Sequence, residues 1–377
     1  MSNSNHHFET VVIGGGQAGL ALGYYLAQYD HDFIILDASE RVGDAWRTRW
    51  DSLRLFTLAK NSRLPGMSFP APDDHFPTKD EMADYLEAYA ERFDLPIRLD
   101  TTVNTICQND DRYVLDTDSQ PVEAERVVVA TGPYHYPNIP KFAESLDPAI
   151  TQLHSSSYRN PDQFSHGDVL VVGTGNSGGE IVVEIASTSR RTYLSGRDVG
   201  DIPLPLTIFG NRVVNWIFSW LTGTVLTTDT WAGRTLKERF QGGGDPRIRV
   251  SATDIRRAGV EWVPRVEGVT DGTPRLDDRR VLDVDGIVWA TGFRPDYSWI
   301  ELPGLSLDED GYPVHNRGVV EGEPGLYFVG LPFQYTPVSA LVRGVGRDAR
   351  YIAERLLAAG DNEPRTRSHQ NVSRMED

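Results

Sequence analysis

The chain has 377 residues, and its 37 basic residues against 54 acidic ones give a net charge of −17. That length accommodates two domains with cores of their own, and a field of that sign repels phosphate backbones, so nucleic acid is not an expected partner. The single cysteine, Cys107, excludes an internal disulfide, a cysteine metal cluster and a redox-active cysteine pair; no metal is expected.

Only Lys60, Lys79, Lys141 and Lys237 are lysines, and Asp outnumbers Glu. This usage fits a salt-tolerant surface and equally a GC-rich genome. The N-terminal stretch lacks a charged-then-apolar signal pattern, and His6 and His7 read as a polar tail. No run of 18 apolar residues occurs, so no membrane span is expected and the chain reads as cytoplasmic.

In chain order, Thr10 to Ile13 is a β-branched run that enters a glycine turn and then a helical pattern with Leu22, Tyr25, Leu26 and Tyr29 on one face. Phe33 to Leu36 is the next strand and ends in Asp37. The spacing of Gly14, Gly16 and Gly19 has a mechanical reason. The first glycine permits the tight turn, the second lets backbone approach a pyrophosphate, and the third lets helix pack on strand. The helix N-terminus then offers free N–H groups to phosphate. Asp37, 23 residues after Gly14, is placed to accept hydrogen bonds from a ribose. A lone glycine fingerprint is weak, but here its strand, helix and acid are all present.

The pattern recurs. Asp168 to Val172 leads into Gly173, Gly175, Asn176, Ser177 and Gly178, then a helix through Ile181, Val182 and Ile185, then a strand from Thr192 to Leu194. At the place of Asp37 stands Gly196, flanked by Ser195 and Arg197. A carboxylate there would repel a 2′-phosphate, whereas an arginine pairs with it. The first site therefore suits an unphosphorylated ribose and the second suits NADPH over NADH. Two buried strands also run into the same tripeptide, at Ala130-Thr131-Gly132 and at Ala290-Thr291-Gly292. Gly14 to Ala130 is 116 residues and Gly173 to Ala290 is 117.

The expected architecture is α/β, with two Rossmann-like dinucleotide-binding domains. The first spans 1–150 and takes back 285–377; the second spans 151–284. The returning part holds a strand ending at Gly330 and a helix from about Leu341 to Leu357. Ile202 to Leu226 is rich in aromatics and leucines, and reads as an interface helix, a substrate-tunnel wall or a surface in weak contact with membrane. Gly242 to Gly244 reads as a flexible joint and the chain beyond Gly360 as a disordered tail.

These motifs resemble the class B flavoprotein monooxygenases, over roughly residues 8 to 358. Gly43-Asp44-Ala45-Trp46 resembles a flavin-side turn of that family, Asp51 to Leu55 and Phe76-Pro77-Thr78 resemble its downstream markers, and Gly344 to Ala349 resembles its last flavin-contacting helix. The resemblance implies FAD and NADPH as cofactors, with Gln17, Ala18, Ala38, Trp46, Arg47 and Val103 added to the cofactor-contacting set. It implies that NADPH reduces the flavin, that dioxygen adds to give a flavin hydroperoxide, and that this species oxygenates a small organic molecule. The family fingerprint places His154 and Tyr158 as candidate catalytic residues, although Pro148 and Ile150 stand where it has Phe and Gly. Tyr158 in place of Trp argues against the Baeyer–Villiger branch, and Leu58 stands where amine and sulfide oxygenases carry Asn. Two other readings share the glycine units: a reductase that passes electrons on without oxygenation, and a non-catalytic flavoprotein that senses redox state.

Overall fold

The computed structural model describes residues 7–201, 221–241 and 246–361. Ile202 to residue 220 of the aromatic segment, the Gly242–Gly244 joint, His6 and the tail beyond residue 361 lie outside the described residues. Of the aromatic segment, Leu221–Val225 is described and forms one π turn.

The first sheet is built on β1 (His7–Ile13), which pairs in parallel with β2 (Phe33–Leu36) and β6 (Val122–Val129). Beyond β2 lies β3 (Ile97–Arg98). Beyond β6 an antiparallel meander adds β5 (Arg112–Thr117) and β4 (Val103–Asn109). His7 belongs to this sheet, opposite Glu123, and is not part of a loose tail. Helix α1 (Gln17–Ala27) follows β1, and the short α2 (Asp44–Arg47) and the longer α3 (Lys79–Arg92) follow β2. A capping box starts α3, where Thr78 and Glu81 exchange side-chain and backbone bonds.

Helix α1 is buried almost all round: Leu20, Leu22 and Leu26 are fully enclosed. The one-faced pattern read from the sequence is therefore too narrow. Tyr29, assigned to that face, lies past the helix end and is 62% exposed. The reason is the partner on its outer side, the long C-terminal helix, which covers what would otherwise face water.

The second sheet is wholly parallel, in the order β11, β10, β9, β14, β8. Its strands are β8 (Thr151–His154), β9 (Val169–Val172), β10 (Thr192–Ser195), β11 (Glu261–Val263) and β14 (Gly286–Trp289). Helix α4 (Asn176–Ala186) joins β9 to β10. A small hairpin of β12 (Val266–Thr270) and β13 (Thr273–Leu276) flanks the sheet. Because β14 lies between β9 and β8, the chain leaves this unit after residue 290 and not at 285.

Two segments cross between the sheets, and they pair with each other. On the way out runs β7 (Tyr136–Pro137), on the way back β15 (Phe293–Arg294), antiparallel. Asn138 fastens them: its side chain donates to the Thr291 carbonyl (3.2 Å) and accepts from Arg294 Nε (2.6 Å), while Thr291 Oγ1 donates to the Asn138 carbonyl (2.5 Å). The returning chain adds β16 (Leu326–Phe328) beside β6 and ends in a 20-residue helix, Val342–Asp361, packed on α1. With α5 (Trp231–Gln241) and α6 (Ala252–Arg257) in between, that last helix is α7.

Candidate functional site

In each sheet one strand of the parallel part, β1 or β9, runs into a glycine turn with the same mechanics. Gly14 has φ +107° and Gly173 φ +114°, backbone that L side chains rarely adopt. The carbonyls of Ala130 and Ala290 close off the place where their side chains would go. Gly19 and Gly178 then lie against the carbonyls of Gly14 and Gly173, and a methyl group at either position would overlap that oxygen. These contacts set α1 and α4 with their first turns at the sheet edge.

Both helices begin at a glycine, Gly16 and Gly175, with no side-chain cap. Their first N–H groups and the positive end of each dipole are left for an anion. Above Gly16 there is open space: a Cβ there meets nothing within 4 Å. This is a cradle of the kind a pyrophosphate fills.

The first turn draws together most of the residues assigned to it. Asp37 Oδ1 accepts from Ser39 N–H (2.8 Å) and Oδ2 from Gly15 N–H. Each carboxylate oxygen keeps acceptor capacity for a ribose hydroxyl. Thr101 N–H donates to the Asp37 carbonyl (2.9 Å), which brings the start of β4 at Val103 to this edge beside the exposed Ala38. Gly330, at φ +90°, packs against the Ala18 side chain. Gln17 Nε2 donates to the Ala340 carbonyl (3.3 Å) and so ties the first turn of α1 to the approach of α7. Trp46 is half-buried on α2, and the neighbouring Trp50 holds its indole N–H buried without a partner.

Arg47 does not join this set. Its guanidinium donates to the Val42 carbonyl (2.6 Å), Asp84 (3.0 Å) and Glu87 (3.1 Å). The acids of α3 hold it, so it clasps α2 to α3. Its place in the sequence beside Trp46 gave no sign of those acids some 40 residues later.

At the second turn, Ser195 is fully buried, its hydroxyl donating to the Pro264 carbonyl (2.8 Å) and accepting from Val266 N–H (3.0 Å). It fixes the end of β10, with its hydroxyl engaged by the chain at Pro264 and Val266. Asn176 is similarly committed, accepting from Ile248 N–H (2.9 Å) and directed at the Pro246 carbonyl. Arg197 is exposed at the turn, and its carbonyl accepts from Thr174 Oγ1 (2.6 Å). Ser177 is half-buried at the start of α4.

Sequence reasoning missed Arg247. It is 1% exposed, donates to the Thr174 carbonyl (3.0 Å) beneath the loop, and pairs with Asp198 (2.6 Å) and Asp201 (2.7 Å). Its guanidinium stacks over Trp262, whose indole N–H donates to the Gly196 carbonyl (2.8 Å). Arg247 holds the Asp198 carboxylate below the ordinary range and offsets its charge beside Arg197. No spacing signal could have found it, 74 residues from Gly173.

The two candidate catalytic residues are buried and engaged in the framework. His154 Nε2 lies 2.9 Å from the Gly292 carbonyl and Nδ1 2.9 Å from Ser156 Oγ, with Phe293 edge-on to the ring. Burial lowers its pKa, so the ring is neutral near pH 7. Tyr158 is fully enclosed and its hydroxyl donates to Glu184 (2.9 Å). His154 ties β8 to the returning chain at Gly292, and Tyr158 ties the chain just after β8 to α4.

One turn before Glu184 on α4, Glu180 sits 3.6 Å from Arg249, which donates to the Arg54 carbonyl (2.9 Å) of the first unit. Burial pushes the Glu180 carboxyl up to about 7, against the pull of Arg249 and with added repulsion from Glu184. Its folded pKa lies above the unfolded value, so its contribution to stability is intact below about pH 4.5 and lost as pH rises through about 7. Glu180→Gln should therefore gain thermal stability over the parent as pH is raised from 5 to 8. Melting curves at the two pH values check this, and a difference that stays constant would contradict it.

With this geometry in hand, the relatives are informative. A family model described as pyridine nucleotide-disulphide oxidoreductase matches residues 11–201. A protein of Geobacillus kaustophilus described as an uncharacterised oxidoreductase, CzcO-like, is 43% identical over 93% of this chain and 99% of its own. A probable indole-3-pyruvate monooxygenase, YUCCA9, of Arabidopsis thaliana is 28% identical over 85% of this chain and 83% of its own. The solved flavin-containing monooxygenase of Stenotrophomonas maltophilia superposes with a TM-score of 0.73 at 28% identity, over 94% of this chain and 99% of that one. Cys107, the single cysteine, lies on β4 away from both turns, so this member carries no dithiol pair of its own. The chain thus belongs to the pyridine nucleotide-disulphide oxidoreductase family, with flavin monooxygenases among the proteins it resembles.

Proposed function

We propose that the protein binds FAD at the Gly14–Asp37 turn and NADPH at the Gly173–Arg197 turn, and that it uses them to oxygenate a small organic molecule with dioxygen. The observation that carries this reading is the pair of uncapped helix N-termini, one on each sheet, joined by paired crossing strands. Two dinucleotide cradles on one chain serve transfer between two cofactors. In that scheme the first unit is residues up to about 136 together with those beyond about 293, and the second lies between.

FAD, when bound, supplies the redox chemistry. The chain's own residues bind and orient. Asp37 accepts from ribose hydroxyls, the first turn of α1 takes pyrophosphate, and the first turn of α4 takes the nicotinamide cofactor's. Arg197 meets a 2′-phosphate, with Arg247 and Trp262 fixing the backbone of its turn. Asn138 holds the two crossing strands to each other, and His154 holds the returning one to β8. The relatives named as monooxygenases support the oxygen step for this chain.

Arg197→Ala should raise the Michaelis constant for NADPH by about tenfold, the weight of one charge-assisted contact, and leave that for NADH nearly unchanged. Equal effects on both would remove the 2′-phosphate role. For the oxygen step, NADPH-reduced protein is mixed with dioxygen in a stopped-flow cell, and hydrogen peroxide is assayed. The oxygenating reading expects slow reoxidation through a spectrum distinct from both oxidised and reduced flavin, with delayed peroxide release. Rapid, single-phase reoxidation with stoichiometric peroxide favours the reductase reading instead.

A further inference from the structure

The two glycine units carry a threonine at the same place, Thr131 and Thr291, and they use its hydroxyl in opposite ways. In the second unit Thr291 Oγ1 donates to the Asn138 carbonyl, so its proton is committed within the crossing segments. In the first unit Thr131 is exposed just past the end of β6, and its Oγ1 lies 3.2 Å from His135 Nε2. The other ring nitrogen decides which of these two atoms donates. Asp296 N–H donates to His135 Nδ1 (2.9 Å), so Nδ1 carries no proton. Burial lowers the His135 pKa, outweighing the opposing pull of the Gly132 and Asp296 backbone and the Asp296 carboxylate, and the ring is neutral near pH 7. Its one proton is then on Nε2, which donates to Thr131 Oγ1. Tyr297, itself buried, packs edge-on against the imidazole with 5.0 Å between ring centroids.

A hydroxyl that accepts from an imidazole keeps its own O–H for another partner. Among the described residues none accepts from Thr131 Oγ1. Space is open beside it: a Cβ on Gly132, the next residue, meets nothing within 4 Å, as at Gly16. Thr131 N also lies 3.2 Å from the point where a side chain on Gly14 would begin, so the hydroxyl borders the first cofactor turn. The strand order then says which part of a dinucleotide passes there. β1 lies between β2 and β6. With Asp37 at the end of β2 taking the ribose of the adenine half, and the turn at Gly16 taking pyrophosphate, the other half runs to the far side of β1 and over the end of β6. In FAD that half carries the flavin.

We propose that Thr131 donates a hydrogen bond to an acceptor atom of the flavin ring, and that His135 is the positioning residue that turns the hydroxyl toward it. This rests on FAD occupying the first turn. Reduction adds electron density to the ring's carbonyl and nitrogen acceptors, so a donor aimed at them favours the reduced form. The pair thus raises the flavin's midpoint potential and favours hydride transfer from NADPH.

The test titrates FAD-loaded full-length protein against a dye of known potential and records the flavin's visible spectrum. Thr131→Val should move the ratio of reduced to oxidised flavin about tenfold toward the oxidised form, roughly 30 mV downward for two electrons. Thr131→Ser should keep the parent potential. His135→Phe should shift the potential in the same direction by less. His135→Gln, whose amide can accept from Asp296 N–H and donate to Thr131, should restore it. The double variant Thr131→Val with His135→Phe should match Thr131→Val alone, because His135 acts only through the hydroxyl. Shifts that add in the double variant would overturn the proposal, as would a parent potential in Thr131→Val. If Thr131→Val holds FAD at the parent potential, only the hydroxyl's role falls; if the parent itself takes up no FAD, the two-cofactor reading falls with it.

Discussion

In each half of the molecule a helix reaches the sheet edge because one glycine lies directly on the carbonyl of another. Gly19 rests on Gly14, and Gly178 on Gly173, with no room for a methyl group between them. Gly14 and Gly173 in turn back onto the carbonyls of Ala130 and Ala290, at the ends of buried strands. Helix, turn and two strands are thus locked at one point. The lock leaves the first N–H groups of α1 and α4 facing outward, each helix end presenting about half a positive charge. The acid at Asp37, the cation at Arg197 and the strand that ends at Gly330 are all placed relative to that point.

The same logic explains the junction. The Ala130 and Ala290 strands both run on into the crossing segments; Asn138 binds those segments to each other through the Thr291 carbonyl, and His154 binds β8 to the returning one through the Gly292 carbonyl. A neutral, buried imidazole suits a neutral carbonyl. Charging it would require desolvation that no carboxylate among its described contacts offsets. The half-preserved fingerprint around His154 and Tyr158 is therefore a structural tie, of β8 to Gly292 and of the chain just after β8 to α4. Its missing Phe and Gly, replaced by Pro148 and Ile150, fall ahead of β8 and leave that tie intact.

Much of this was legible in the sequence because it depends on local spacing. Both glycine turns, their strands, Asp37 and the strand pair entering Ala-Thr-Gly follow from periodicity and from the steric needs of glycine. What escaped depends on contacts between distant segments. Arg47 is claimed by acids on α3, Ser195 by the chain at Pro264 and Val266, and Arg247 reaches beneath a loop formed 70 residues earlier. Tyr29 misled because a helix covered on both sides has no polar face to contrast with its apolar one.

The central claim is that the two turns hold two different dinucleotides that exchange a hydride. It is tested most directly by anaerobic titration of FAD-loaded protein with NADPH, in the parent and in Gly178→Ala, following the flavin's visible absorbance. The parent should bleach fully at one NADPH per flavin. Gly178→Ala should retain FAD yet resist bleaching, because only the second turn has been displaced. Equal bleaching in the two proteins would contradict it.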